Sequence, residues 1–132
     1  YEFHGNSHSL LCTKCSERYP VENVSLDNLP PVCHKCGGVL KPDFIFFGEA
    51  IPRHAYDKSV EAASKAEVML IVGSTGEVIP ASNIPFLAKE NGATIIEVNP
   101  SKSNFTDSIT DVYLKGKASE IMHQIGERFL NK

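Results

Sequence analysis

Cys12-x-x-Cys15 is followed, after seventeen intervening residues, by Cys33-x-x-Cys36. Two residues between cysteines let one tight turn aim both sulfurs at a common point, and two such turns complete a tetrahedron of thiolates. Gly37-Gly38 behind the second pair and Pro30-Pro31 ahead of it give these turns backbone latitude and stiffness. The spacing predicts one structural zinc ion held by Cys12, Cys15, Cys33 and Cys36, with no coordination position left for a reactive water. Two disulfides are the alternative in an oxidising compartment, but no charged-then-apolar leader precedes the cysteines, so a cytoplasmic location is expected. A redox dithiol needs one pair, not two matched ones.

Two further groups carry weaker chemistry. Gly73-Ser74-Thr75-Gly76 follows an apolar run, and Asn99 ends the next one. Both are placed where open α/β sheets bind ligands, at the C-terminal ends of parallel strands, with Asn99 positioned to meet an adenosine ribose. His4-Gly5 offers a side chain able to act as a base near neutral pH, though a lone histidine says little by itself.

The elements that must position these residues change character near residue 42. Residues 8–41 hold all four cysteines and few long apolar runs, so this segment reads as a zinc-ribbon module stabilised by its metal. From Phe44 on, runs and helices alternate. Phe44-Ile45-Phe46-Phe47 reads as a buried strand, Ala55 to Ala66 as a helix, and Glu67 to Val72 as a strand covered on both faces. Ser82 to Asn91 reads as a helix closed by Gly92, Thr94 to Val98 and Val112 to Leu114 as strands, and about Ala118 to Leu130 as a helix. Such alternation predicts an α/β fold: part of a parallel Rossmann-like sheet with flanking helices, plus the small four-cysteine zinc-ribbon module.

Composition narrows the function classes. The chain has 132 residues, 42% hydrophobic, with thirteen Lys+Arg against sixteen Asp+Glu and a net charge of −3. That balance argues against direct nucleic-acid binding, and no apolar stretch reaches the ~18 residues of a membrane span. Four thiolates and one dication would lower the charge to −5, which Lys14, Arg18, Lys35 and Lys41 are placed to soften.

Taken in order, His4-Gly5, the two cysteine pairs, Gly38-Val39-Leu40-Lys41-Pro42, Ile45-Phe46-Phe47-Gly48-Glu49, Gly73-Ser74-Thr75, Ile95 to Pro100 and Gly116-Lys117-Ala118 resemble the sirtuin family of NAD-dependent protein-lysine deacylases. The family more often has Gly-Thr-Ser where this chain has Gly73-Ser74-Thr75. The resemblance implies His4 as the general base acting on a ribose hydroxyl, with NAD+ as co-substrate, ADP-ribose as acyl acceptor and nicotinamide released. It implies cofactor contacts from Gly73, Ser74, Thr75, Asn99, Lys117 and Ala118. Phe47-Gly48-Glu49 and Val78 would be the edges between which an acylated peptide adds as a strand, and Ile45 and Phe47 would line the tunnel for the lysine stem.

The same resemblance implies a C-terminal portion of the catalytic core. Residues 1–7 would be the catalytic-histidine segment, 8–41 the zinc module and 42–132 the C-terminal part of the NAD-binding domain. The family's glycine-rich phosphate loop and Gln-Asn-x-Asp motif are not in this sequence, which begins at Tyr1. The piece alone is therefore expected to be inactive and to self-associate through an exposed sheet edge. A zinc-ribbon binding module without catalysis is the competing reading, and a thiol-redox protein a third. The first explains the cysteines and leaves residues 44–132 without a role.

Overall fold

A computed structural model describes residues 1–130; Asn131 and Lys132, the last two residues of the 42–132 segment, lie outside the described residues. The chain divides into two compact units, Tyr1–Tyr56 and Asp57–Lys132. Residue 42, where composition changes, lies inside a strand of the first unit instead of at a boundary. Composition marks where apolar runs begin, whereas the unit is defined by what pairs with what.

The first unit is an antiparallel sheet of β1 (Gly5–Cys12), β2 (Arg18–Pro20) and β3 (Leu40–Phe44), ordered β2-β1-β3. Its first two strands have no clear signature in the sequence. β2 is three residues long, and β1 is interrupted: five steps from Gly5 to Leu10 lie against two from Phe44 to Pro42. Asn6 holds this irregularity by accepting from the His8 amide (2.9 Å), and the Ser9 hydroxyl donates across to Asp43 (3.3 Å). A bulge of this kind bends the strand and breaks its period of two. The core of the unit is correspondingly small, consisting of Leu10, Cys12, Cys33 and Leu40, with Tyr19, Val21, Val24 and Cys36 packed against it.

The predicted strand Phe44–Phe47 does not form. Only Phe44 belongs to β3, which starts four residues earlier, and Phe47 is 95% exposed. Gly48 adopts a positive φ of 88°, and the Glu49 amide closes a turn onto the Phe46 carbonyl (3.0 Å). Lys41 locks the turn. Its ammonium reaches the Phe44 carbonyl (3.0 Å) and the Glu49 carboxylate (2.8 Å) and sits over the Phe46 ring.

The second unit contains a parallel sheet, ordered β4 (Val68–Val72), β5 (Thr94–Asn99), β6 (Val112–Lys115). The helices are α1 (Arg53–Lys65), whose first turn lies in the preceding unit, α2 (Asn83–Glu90) and α3 (Ala118–Leu130). Ala63 of α1, Ala88 of α2, Ala93, Ile71, Ile95, Phe105 and Ile109 form the core. Burying side chains the size of Ile95 and Phe105 contributes about 1.5–3 kcal/mol each. These elements match the sequence reading to within two residues. β4 differs in one respect: Val68, Leu70 and Val72 are 56%, 41% and 42% exposed, so only the Met69–Ile71 face is covered. It is one of the two outer strands of the sheet among the described residues, β6 being the other.

Gly5 has a φ of 71°, and a Cβ there would collide with the Asp43 carbonyl. Gly5→Ala is expected to destabilise the first unit by about 1–3 kcal/mol, read from urea unfolding of the zinc-loaded protein. An unchanged midpoint would contradict the β1–β3 approach described here.

Candidate functional site

The two cysteine turns are built alike. The Ser16 amide donates to the Cys12 carbonyl (3.0 Å) and the Gly37 amide to the Cys33 carbonyl (2.8 Å), and both fifth residues are left-handed, with φ of 59° and 70°. The four sulfurs all lie within 4.8 Å of one another, with Cys12–Cys36 at 3.5 Å and Cys15–Cys33 at 3.7 Å. A zinc ion with Zn–S bonds of about 2.3 Å needs tetrahedron edges of about 3.8 Å, so the donor set fits the metal. Gly38 completes the fit. A Cβ there would stand 2.9 Å from the Cys12 sulfur and 2.8 Å from Lys14 Cβ.

Electrostatics around the sulfurs favours thiolate at some positions and opposes it at others. The Tyr19 hydroxyl, 3.2 Å from the Cys33 sulfur, brings that thiol down to about 6 and is itself held protonated, its own pKa raised to about 12. Burial works against ionisation of Cys12, yet the Cys15 and Lys14 amides lower its pKa. For Cys15 the Glu17 amide favours the thiolate, but the Cys36 sulfur, burial and the other two sulfurs push it up to about 12. Four sulfurs this close cannot all ionise without a cation among them; a dication removes that conflict. Of the nearby basic side chains, Arg18 pairs with Asp43 (2.6 Å) and Lys41 with Glu49, whereas Lys35, paired with Glu17 (2.7 Å), also feels the charge of Cys15 and Cys33, which after Glu17 helps raise its pKa.

β1 and β3 connect the cysteine turns to the histidine. β1 ends at Cys12 opposite Leu40, and at the other end Gly5 pairs with Phe44. The Ile45 amide donates to the His4 carbonyl (2.9 Å), so the expected base and an expected tunnel residue are neighbours at the ends of adjacent strands. His4 is exposed, with the Phe3 ring edge-on to its imidazole at 5.5 Å. An open cleft of about 420 Å³ is bordered by its neighbours Glu2 and Gly5 and by Asp43, Ile45 and His54, but His4 itself does not line it. Phe47, Gly48 and Glu49 are all exposed, but the Glu49 carboxylate is engaged by Lys41 and the Phe46 amide (3.0 Å), so it shapes the turn. The Lys41 contact, and after it the Phe46 amide, hold the Glu49 carboxyl below its usual range against the opposing effect of burial.

In the second unit the structure brings Ser74 and Asn99 together. The Asn99 side-chain amide donates to the Ser74 carbonyl (2.8 Å), and the Asn104 amide donates to the Thr75 carbonyl (3.0 Å) and its side chain to the Gly76 carbonyl (3.3 Å). Three successive carbonyls are thus turned inward, and Gly73, Ser74 and Thr75 are exposed. The Asn99 carbonyl accepts from the Gly116 amide (3.2 Å) and from the Tyr113 hydroxyl (3.0 Å), which sets the turn carrying Lys117 into α3 at Ala118. Lys117 is exposed, and Val78 is 45% exposed on the segment before α2. The sequence does not single out Asn104, Lys41 and Tyr19 as site residues. Only Glu97, a charged residue inside the apolar run Thr94–Val98, leaves a signal that something polar is built behind the turn.

Elemental analysis is expected to find one zinc per chain. Gly38→Ala should weaken zinc binding about 10–100-fold in a chelator competition, and a variant that binds as tightly as the parent would contradict the close approach to Cys12.

Residues 1–80 match the sequence profile of the Sir2 family. A curated relative, NAD-dependent protein deacylase 2 of Pyrobaculum aerophilum, is 41% identical over 126 residues, covering 96% of this chain and 50% of its own length. A solved Sir2 homologue mutant in complex with ADP-ribose superposes with a TM-score of 0.90 at 33% identity, covering 96% of this chain and 50% of that one. Sir2Tm bound to a propionylated peptide gives 0.87 at 28% identity, covering 96% and 54%. The chain spans about half the length of the curated relatives it matches. With the profile covering more than half of its residues, on a fold and a four-cysteine centre of the expected kind, this chain belongs to the Sir2 family.

Proposed function

We propose that the chain carries the catalytic histidine, the zinc module and the adenosine-side half of an NAD-dependent protein-lysine deacylase. The observation that carries this reading is the Ile45 amide to His4 carbonyl bond, which joins the base to the substrate-facing segment through the β1–β3 register. Relatives named NAD-dependent protein deacylases and a relative bound to a propionylated peptide support it.

When bound, NAD+ would supply a ribose carbon for attack by the acyl oxygen as the bond to nicotinamide breaks and nicotinamide leaves, and the ADP-ribose would keep the acyl group once water frees the lysine. The chain's own residues bind and orient. His4 takes a proton from a ribose hydroxyl at a ring nitrogen. Ile45 and Phe47 flank the apolar stem of the acyl-lysine, while Phe47-Gly48-Glu49 and Val78 offer backbone edges to the peptide. Gly73, Ser74, Thr75 and Asn99 hold the nucleotide through small, inward-tethered backbone, with Lys117 and Ala118 on the adenine side. Zinc has a closed sulfur shell and takes no part in the chemistry.

The reading places the protein in the cytoplasm, where thiols reserved for a metal stay reduced. Among the described residues no helix is long and apolar enough to cross a membrane. Self-association of the 132-residue chain through β4 is part of the same proposal, supported by its outer position and by exposed Val68, Leu70 and Val72.

In the intact protein, His4→Ala is expected to cut NAD-dependent release of acetyl from a lysine peptide by at least about 100-fold with zinc content unchanged; retained activity would exclude His4 as the base. The 132-residue chain alone should show no robust deacylation. Light scattering should show its mass rising with concentration, and a monodisperse monomer throughout would count against pairing at β4.

A further inference from the structure

The turn at Gly73–Gly76 is held by a residue that does not reach it directly. Glu97 lies in the middle of β5 with no exposed surface, and its carboxylate is met by hydroxyls instead of a cation among the described residues. Three fill its acceptor sites: Ser103 (2.6 Å), Thr110 (2.8 Å) and Thr106, shared between both oxygens (3.1 and 2.9 Å). Two of these hydroxyls are themselves oriented by backbone amides. The Ser103 amide donates to Thr106 Oγ1 (2.9 Å) and the Phe105 amide to Ser103 Oγ (3.1 Å). Residues 103–110 are therefore wound around one carboxylate, whose oxygens have the hydrogen-bond donors that burial demands.

What this wound segment holds is the nucleotide-side turn. Asn104 sits between Ser103 and Phe105 and donates from its backbone to Thr75 and from its side chain to Gly76. Phe105 is 1% exposed, and its ring lies so close to Gly76 that a Cβ there would approach within 2.9 Å. Two positions further along β5, Asn99 ties down Ser74. The carboxylate, the hydroxyls, Asn104 and the turn form one continuous set of contacts within the second unit.

We infer that Glu97 is a positioning residue for nucleotide binding, acting through Ser103, Thr106, Thr110 and Asn104 on the Gly73–Gly76 turn. The inference rests on the nucleotide-binding reading above for its functional consequence, but its structural half is independent of it. Glu97→Gln keeps the shape while turning one acceptor into a donor that faces inward-pointing hydroxyl hydrogens. Thr110→Val removes one of the three hydroxyls at nearly constant volume.

Amide hydrogen exchange on the zinc-loaded chain is the first readout. In Glu97→Gln the Asn104 amide, which donates to the Thr75 carbonyl, should exchange about tenfold faster while β5 ladder amides stay within about twofold. Unchanged exchange at Asn104, or equal acceleration along all of β5, would overturn the inference, the latter showing mere loss of stability. Should Glu97→Gln not fold, Thr110→Val is read by the same criterion. ADP-ribose affinity of the intact protein is the second readout, expected to fall about five- to tenfold with the KM for acetyl-peptide unchanged. Unaltered ADP-ribose affinity in a folded variant overturns the functional half. If exchange responds as expected but the parent protein itself fails to bind ADP-ribose, the positioning stands and the deacylase reading falls.

Discussion

Four sulfurs within 4.8 Å of one another are the constraint on which the first unit depends. The buried cluster around them is only Leu10, Leu40 and two of the cysteines themselves, and the sheet is short and interrupted. A core this small cannot offset the entropy of ordering the chain. Metal binding can, since structural zinc contributes on the order of 10–16 kcal/mol in small peptide sites. The metal also does something more specific than stabilise. The first cysteine turn begins at the end of β1 and the second leads directly into β3, so holding the sulfurs together sets Cys12 opposite Leu40. That register, carried through the bulge that Asn6 and Asp43 secure, decides which residues meet at the far end. There His4 meets Ile45. In the proposed function, zinc bears on the chemistry by positioning strands, without touching a reactant.

A second device operates in the other unit and uses no metal. Here a buried carboxylate takes the organising role, gathering hydroxyls from a polar segment and, through Asn104, turning the carbonyls of Thr75 and Gly76 inward, while Asn99 on the same strand holds that of Ser74. In both units a cluster of acceptor atoms is satisfied, by a dication in one case and by hydroxyl hydrogens in the other. Each spaces a loop that has little apolar surface of its own. Such loops are needed at ligand sites, where bulky side chains would obstruct the approach of a cofactor.

How much of this is legible in the sequence follows from the range of each interaction. Local signals are readable: the cysteine spacing, the apolar runs of β4 and β5, the stop at Gly92 and the last helix. Cross-strand facts are not. β1 owes its definition to β3, some thirty residues away, and a bulge removes the alternation that would have revealed it; β2 is three residues long and exists only by pairing with β1. The run Phe44–Phe47 has strand composition, yet a Lys41–Glu49 pair and the positive φ of Gly48 fold it into a turn. Charges near the cysteines suggest neutralisation of the metal site, yet Arg18 and Lys41 meet carboxylates instead and Lys35 divides its charge between Glu17 and the sulfurs. Motif order supplies what local patterns lack, because it compares the whole chain with a family at once.

A closed tetrathiolate zinc centre sets the strand register that presents His4. X-ray absorption at the zinc edge of the purified protein tests it most directly. Four sulfur neighbours at about 2.3 Å, and no nitrogen or oxygen bound to the metal, are expected. A zinc ion bound by an oxygen or a histidine nitrogen, or by fewer than four sulfurs, would contradict it.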